Sequence, residues 1–199
     1  MISDVETRLT EVPTLDYEEY LSMIKEKVEM AEQGLKTFDK IEQIKLNYHR
    51  NNRLSKTYKV SPDLEMILKS INLPQTWYLL TEDWCGDSNQ MLPCLAKMTR
   101  VNPDIQLKII LRDNNPEIME QYLTDGKRSI PKLISVDSRG RELFTWGPRP
   151  QPAQKLFEGS LALDPSKDKA KARLHAWYGK DSCRTLETEM AEKLKKIYR

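Results

Sequence analysis

The chain has 199 residues, enough to bury the core of one domain and still carry helical additions. Apolar residues make up 39% and charged residues 31%, and no apolar run approaches the roughly 18 residues of a spanning helix, which argues against a helical membrane protein. The formal net charge of +2 singles out neither nucleic acid nor an acidic partner.

Met1 to Arg8 carry acidic groups and no apolar stretch, so no secretory leader is expected and the protein is read as cytoplasmic. Three cysteines in that setting argue against a disulfide scaffold, and each thiol is read separately. Over 14–34 and 37–53 apolar residues recur at helical spacing, with Tyr17, Leu21, Ile24 and Val28 in the first stretch and Phe38, Ile41, Ile44 and Tyr48 in the second. Two amphipathic helices are predicted, the first capped by Thr14 and ended by Gly34. The polar stretch 51–58 reads as a loop. Ser61-Pro62-Asp63 then supplies a cap, a first-turn proline and an acid for a short helix to about Ile71, stopped by Asn72-Leu73-Pro74.

A buried strand is predicted over 76–81 and a helix over 88–101, with Trp84-Cys85-Gly86-Asp87-Ser88 at the handover. An alternating strand follows over 105–111, then a helix opened by Asn115-Pro116 and closed near Gly126. Two short strands, 131–136 and 142–146, flank the turn Ser138-Arg139-Gly140 and are expected to pair antiparallel. Beyond the breaker Gly147-Pro148-Arg149-Pro150-Gln151-Pro152, helices are predicted over 153–161, 167–178 and 182–198.

Cys85 carries the chemistry in this reading. Free amides and the positive end of the dipole at a helix N-terminus favour a thiolate, while Glu82, Asp83 and Asp87 oppose it. Ser88 either donates its hydroxyl to a Cys85 thiolate or simply starts the helix. Cys94 is nine residues on, a rise of about 13.5 Å along a helix, beyond the roughly 7 Å between Cα atoms that a disulfide with Cys85 tolerates. It is read as a small buried apolar residue, and Cys183 as incidental or, less favoured, a resolving thiol. Lys45, His49, Arg50, Arg53, Lys56 and Lys59 read as a solvated face, because no aromatic interleaving marks a nucleic-acid patch. His49 and His175 are isolated, so no metal site and no cofactor are expected.

A spaced set of motifs resembles the thioredoxin superfamily. Trp84-Cys85-Gly86 matches the start of the family's Trp-Cys-Gly-Pro-Cys, and Pro93 falls where the family's active-site helix carries a proline. Asp113-Asn114-Asn115-Pro116, Ile130-Pro131-Lys132-Leu133 and Gly147 follow in register. More narrowly, the set resembles a bacterial thioredoxin-like group with a helical N-terminal extension. The chain departs at two places: Ser88 stands where the second cysteine belongs, and Leu79 where a buried aspartate belongs.

The resemblance implies an α/β fold, a thioredoxin-like three-layer sandwich with a central mixed sheet, helices on both faces and helical extensions at each end. The usual first βα unit is replaced by helices. The organisation expected is a helical extension over 1–72, the core over 73–160 and a helical C-terminal extension over 161–199. It further implies a cis Pro131, a peptide groove shaped by Trp84, Gly86, Asp87, Ile130 and Pro131, and Arg128 and Lys132 beside Cys85, offsetting the acids for a modestly lowered thiol pKa. The function implied is thiol-disulfide exchange with Cys85 as single nucleophile, assisted by Ser88 and resolved by an external thiol. Partners are protein or low-molecular-weight thiols, with no nucleic acid and no membrane. The alternative is a non-catalytic binding module in which the cysteine is vestigial.

Overall fold

The computed structural model describes residues 9–198. Residues 1–8, on which the expectation of no secretory leader rests, lie outside the described residues. Among the described residues no helix is long and apolar enough to cross a membrane.

Asp16, not Thr14, caps the first helix. Its carboxylate accepts from the Glu19 amide at 2.8 Å while the Glu19 carboxylate accepts from the Asp16 amide at 2.7 Å, a reciprocal capping box that starts α1 at Tyr17–Glu32. Thr14 lies outside because its neighbour Leu15 is extended, bridged antiparallel to Ile109 at the sheet edge. Gly34 (φ 68°) takes the left-handed position after the helix. The next helix, α2 (Ile41–Thr57), runs through most of the stretch expected to be a loop. The reason is polar burial: Asn51, fully buried, accepts from the Tyr17 hydroxyl at 2.5 Å and donates to Asn89 Oδ1 at 3.1 Å, so polar side chains form the helix's inner face. Ser61 caps α3 (Pro62–Lys69) as the sequence implies, accepting from the Leu64 amide.

The sheet has the order β2-β1-β3-β4, with β1 (Gln75–Thr81), β2 (Ile105–Leu111), β3 (Lys132–Asp137) and β4 (Glu142–Trp146). β1 runs parallel to β2, joined by helix α4 (Gly86–Thr99), and antiparallel to β3, which pairs antiparallel with β4. Alternation splits the core. Trp77, Leu79, Ile109 and Leu133 point to one face with the long helices; Tyr78, Leu80, Ile110 and Ile134 point to the other, with Ile118, Met119 and Tyr122. Among the described residues this second cluster takes Leu9, from the helical turn at 9–11, and a short helix, α5 (Pro116–Met119), and the helix expected to reach Gly126 ends early. Asp125 and Gly126 have positive φ, and Thr124 and Lys127 exchange backbone hydrogen bonds in a tight turn towards β3.

Three helices close the chain, α6 (Gln151–Leu163), α7 (Lys167–Asp181) and α8 (Arg184–Ile197). α6 packs on α7, and α8 on α3. α4 is buried on almost every side, with Met91, Leu92, Cys94 and Leu95 at most 1% exposed. The reading of Cys94 as a lone apolar residue and Cys183 as incidental is corrected: the two form a disulfide between α4 and the α7–α8 junction. Sequence separation of 89 hid the pair, because only packing of the tail on α4 brings the sulfurs together.

Candidate active site

Cys85 is the N-cap of α4, one turn beyond the end of β1, so the helix starts two residues before the expected Ser88. Its thiol donates to the Ile130 carbonyl at 3.4 Å, across from the cis peptide between Ile130 and Pro131. Gly147 holds the other side of that bend. A Cβ there would sit 2.2 Å from the Pro131 carbonyl oxygen, and φ is 115°, so only glycine allows β4's exit to lie against the bend.

The sulfur is recessed, with Cys85 only 7% exposed. Burial pushes its pKa up to about 11 and the Asp87 carboxylate adds to the rise, against the Ser88 hydroxyl and the amides of Ser88 and Asp87 at the helix end. The expected lowering is thus reversed: desolvation outweighs the helix terminus. Nor does Lys132 help. Its ammonium turns to Thr124 Oγ1 at 3.2 Å, away from the pocket, whereas Arg128 does line it. Ser88 is fully buried and its Oγ makes no formed hydrogen bond, so it acts on the thiol as a nearby hydroxyl dipole.

Of the nearby acids, Glu82 and Asp83 turn elsewhere. Glu82 accepts from the Asp113 amide at 2.7 Å, and burial raises its pKa; Asp83 pairs with Lys27. Asp87 faces the pocket. It accepts from the Tyr178 hydroxyl at 2.8 Å and pairs with Arg149 at 2.7 Å. Gly86 carries no side chain because His175 of α7 fills the space: a Cβ would meet its ring at 2.8 Å. Burial lowers the His175 pKa to about 4, helped by Arg50, Lys171 and Arg149 against Asp87, so the ring is neutral near pH 7. The Trp84 ring has Lys40 Nζ 4.2 Å and Arg112 Cζ 5.0 Å from its centre.

The structure therefore brings together all seven residues singled out for the site and adds Arg50, Arg149, His175 and Tyr178. The last two come from a helix about 90 positions away, and no local pattern marks them. Arg149 had a signal, its place in Gly147-Pro148-Arg149-Pro150. In front of the sulfur lies a pocket of about 370 Å³ that Trp84, Cys85, Asp87 and Ile130 help to line. Among the described residues no group of three His, Cys, Asp or Glu side chains is placed to hold a metal ion.

A family model described as "Thioredoxin" matches residues 34–172. Among solved structures the chain is similar to a crystallised HIV epitope-scaffold, 19% identical, with a TM-score of 0.54 over 91% of this chain and 98% of that one. It is also similar to a protein of unknown function from Pseudomonas aeruginosa, 20% identical, with a TM-score of 0.49 over 88% of this chain and 99% of that one. The search of curated proteins returned no match. At 19% identity the likeness to the epitope-scaffold speaks for the fold and not for an activity.

Proposed function

The chain belongs to the thioredoxin family, and from that premise we propose that it is a thiol-disulfide exchange protein with Cys85 as its single nucleophile. The observation that carries this reading is the position of the sulfur, at the start of α4 and 3.4 Å from the carbonyl that precedes cis Pro131, with a pocket in front of it. A thiolate there attacks a substrate disulfide, and in this reading the Ser88 hydroxyl donates to it, supported by that hydroxyl being buried without another partner. Ser88 cannot expel the substrate as a second cysteine would. An external thiol, from a protein or a small molecule, must resolve the mixed disulfide.

The compartment proposed is the cytoplasm, where small thiols are abundant. Cys94 and Cys183 are 0% and 2% exposed, which shields their disulfide from the same thiols.

One observation favours a second reading, a binding module with an inert cysteine. With a pKa of about 11, the thiolate is only about one part in ten thousand at pH 7. The two readings separate in a trapping experiment, with mixed disulfides on Cys85 quantified by mass spectrometry from pH 7 to pH 10.5. Exchange predicts an adduct whose rate of formation climbs about tenfold per pH unit towards pH 11 and disappears in Cys85→Ser. No adduct even at pH 10.5, in protein that remains folded, leaves the binding module.

A further inference from the structure

The pocket before Cys85 carries a charge that the molecule as a whole does not. The chain is only +2 in total, yet Lys40, Arg112, Arg128, Arg149 and Lys171 all line this pocket and Asp87 is its one carboxylate. Convergence makes the bias more than a basic helix face. Lys40 precedes α2, Arg112 follows β2, Arg128 precedes β3, Arg149 follows β4 and Lys171 lies on α7, so five separate segments each deliver a cation to one cavity. Asp87 balances Arg149 alone, at 2.7 Å. Asp113 and Glu120 hold Arg112 and Arg128, and Asp39 and Asp168 stand 3.8 Å from Lys40 and Lys171, but none of these four acids lines the pocket. Arg149 also keeps its Nε–H buried without a hydrogen-bond partner.

Resting on the exchange reading above, we infer that the substrate of Cys85 is a small, multiply anionic disulfide, carrying carboxylate or phosphate groups, and not a protein. Size supports this as charge does. A pocket of about 370 Å³ is within the roughly 300–1,000 Å³ range of small-molecule sites, and a sulfur that is 7% exposed admits a slim disulfide more easily than a folded surface. Lys40 and Arg112 over Trp84, with Lys171 and Arg128 on other segments, offer separate points for two or more anionic groups.

The chemistry balances without a further oxidant. The Cys85 thiol loses its proton to solvent, and its thiolate attacks one sulfur of the disulfide. The substrate S–S bond breaks, a bond from Cys85 to that sulfur forms, and the other half leaves as a thiolate that takes up a proton. A second small thiol, deprotonated in solution, then attacks the substrate sulfur of the adduct, forming a new small disulfide and returning Cys85 as a thiolate.

The test compares rates of Cys85 adduct formation, followed by mass spectrometry at pH 9, with glutathione disulfide (anionic), hydroxyethyl disulfide (neutral), cystamine (cationic) and insulin. The expected result is that glutathione disulfide reacts at least tenfold faster than the others after correction for their intrinsic reactivities, with the advantage shrinking in 1 M salt. In Arg128→Gln/Lys171→Gln, which alters two exposed side chains, the ratio of the anionic to the neutral rate should fall about tenfold, since one charge about 6 Å away in water is worth roughly threefold. Adducts at equal rates, or fastest with cystamine or insulin, overturn the substrate assignment while leaving exchange intact. Absence of every adduct instead ends the exchange reading. Titration of Cys85→Ser with glutathione sulfonate, which cannot exchange, then judges the pocket alone: saturable, salt-sensitive binding lost in the double variant supports an anion site, and none at 10 mM overturns it.

Discussion

Asp87 is the residue that most directly opposes the sulfur chemistry, since its carboxylate adds to the rise in the Cys85 pKa that burial begins. Asp87→Asn should lower that pKa and speed alkylation of Cys85 by iodoacetamide at pH 8 on the order of three- to tenfold. Arg149, left without its partner, should cost about 2 kcal/mol of stability. An unchanged alkylation rate in folded Asp87→Asn would show that burial alone silences the thiol. His175 makes a separate statement about pH. Its pKa in the fold, about 4, lies below the ordinary 6.5, so the fold stabilises the neutral ring. That contribution is complete above pH 6.5 and declines as pH falls towards 4; urea unfolding should show a loss of about 1–2 kcal/mol between pH 7.5 and pH 5. His175→Gln should flatten the slope over that window, above the range where most carboxylates titrate.

At the scale of elements, the start of α4, the Ile130–Pro131 bend and the exit of β4 meet beside the sulfur, and that junction depends on atoms no side chain provides. Gly147→Ala would put a methyl 2.2 Å from the Pro131 carbonyl oxygen at a φ that alanine resists, so the bend and β4's exit must separate. A destabilisation of at least about 3 kcal/mol is expected, read as a drop in the urea midpoint; a midpoint within error of the wild type would mean the bend can move freely. Sequence identified this glycine through its spacing from Pro131, as it identified the strands, whose residues are apolar and β-branched. It misread 51–58 for a physical reason. Asn51 looks like a loop residue when it is read alone, but here it links the Tyr17 hydroxyl to Asn89, which in turn donates to the carbonyls of Asp83 and Cys85. Buried amides of this kind are helix-compatible only because partners on other elements satisfy them.

Across the whole molecule, one cluster of buried side chains extends from Tyr17 to Leu194, and the Cys94–Cys183 disulfide ties the helices at its end to α4. Closing so long a loop lowers the entropy of the unfolded chain by an amount worth about 4–5 kcal/mol in the simple loop model, with about 2–4 kcal/mol usual in practice. Cys94→Ser/Cys183→Ser should therefore unfold at markedly lower urea. A strong reductant should move the wild-type curve onto that of the variant and leave the variant's own curve unmoved; a wild type indifferent to reductant would mean the thiols are unpaired. What the sequence by itself determined was the family, the order of strands and helices around Cys85, and the two landmarks beside it, Pro131 and Gly147. These are local or fixed-spacing properties, carried by residue types that few other conformations use. Only the tertiary structure decided how deeply the sulfur is buried, which charges face it and which cysteine pairs with which. Each of those is a sum over neighbours from distant segments, and desolvation, ion pairing and disulfide reach depend on distances that spacing along the chain does not contain.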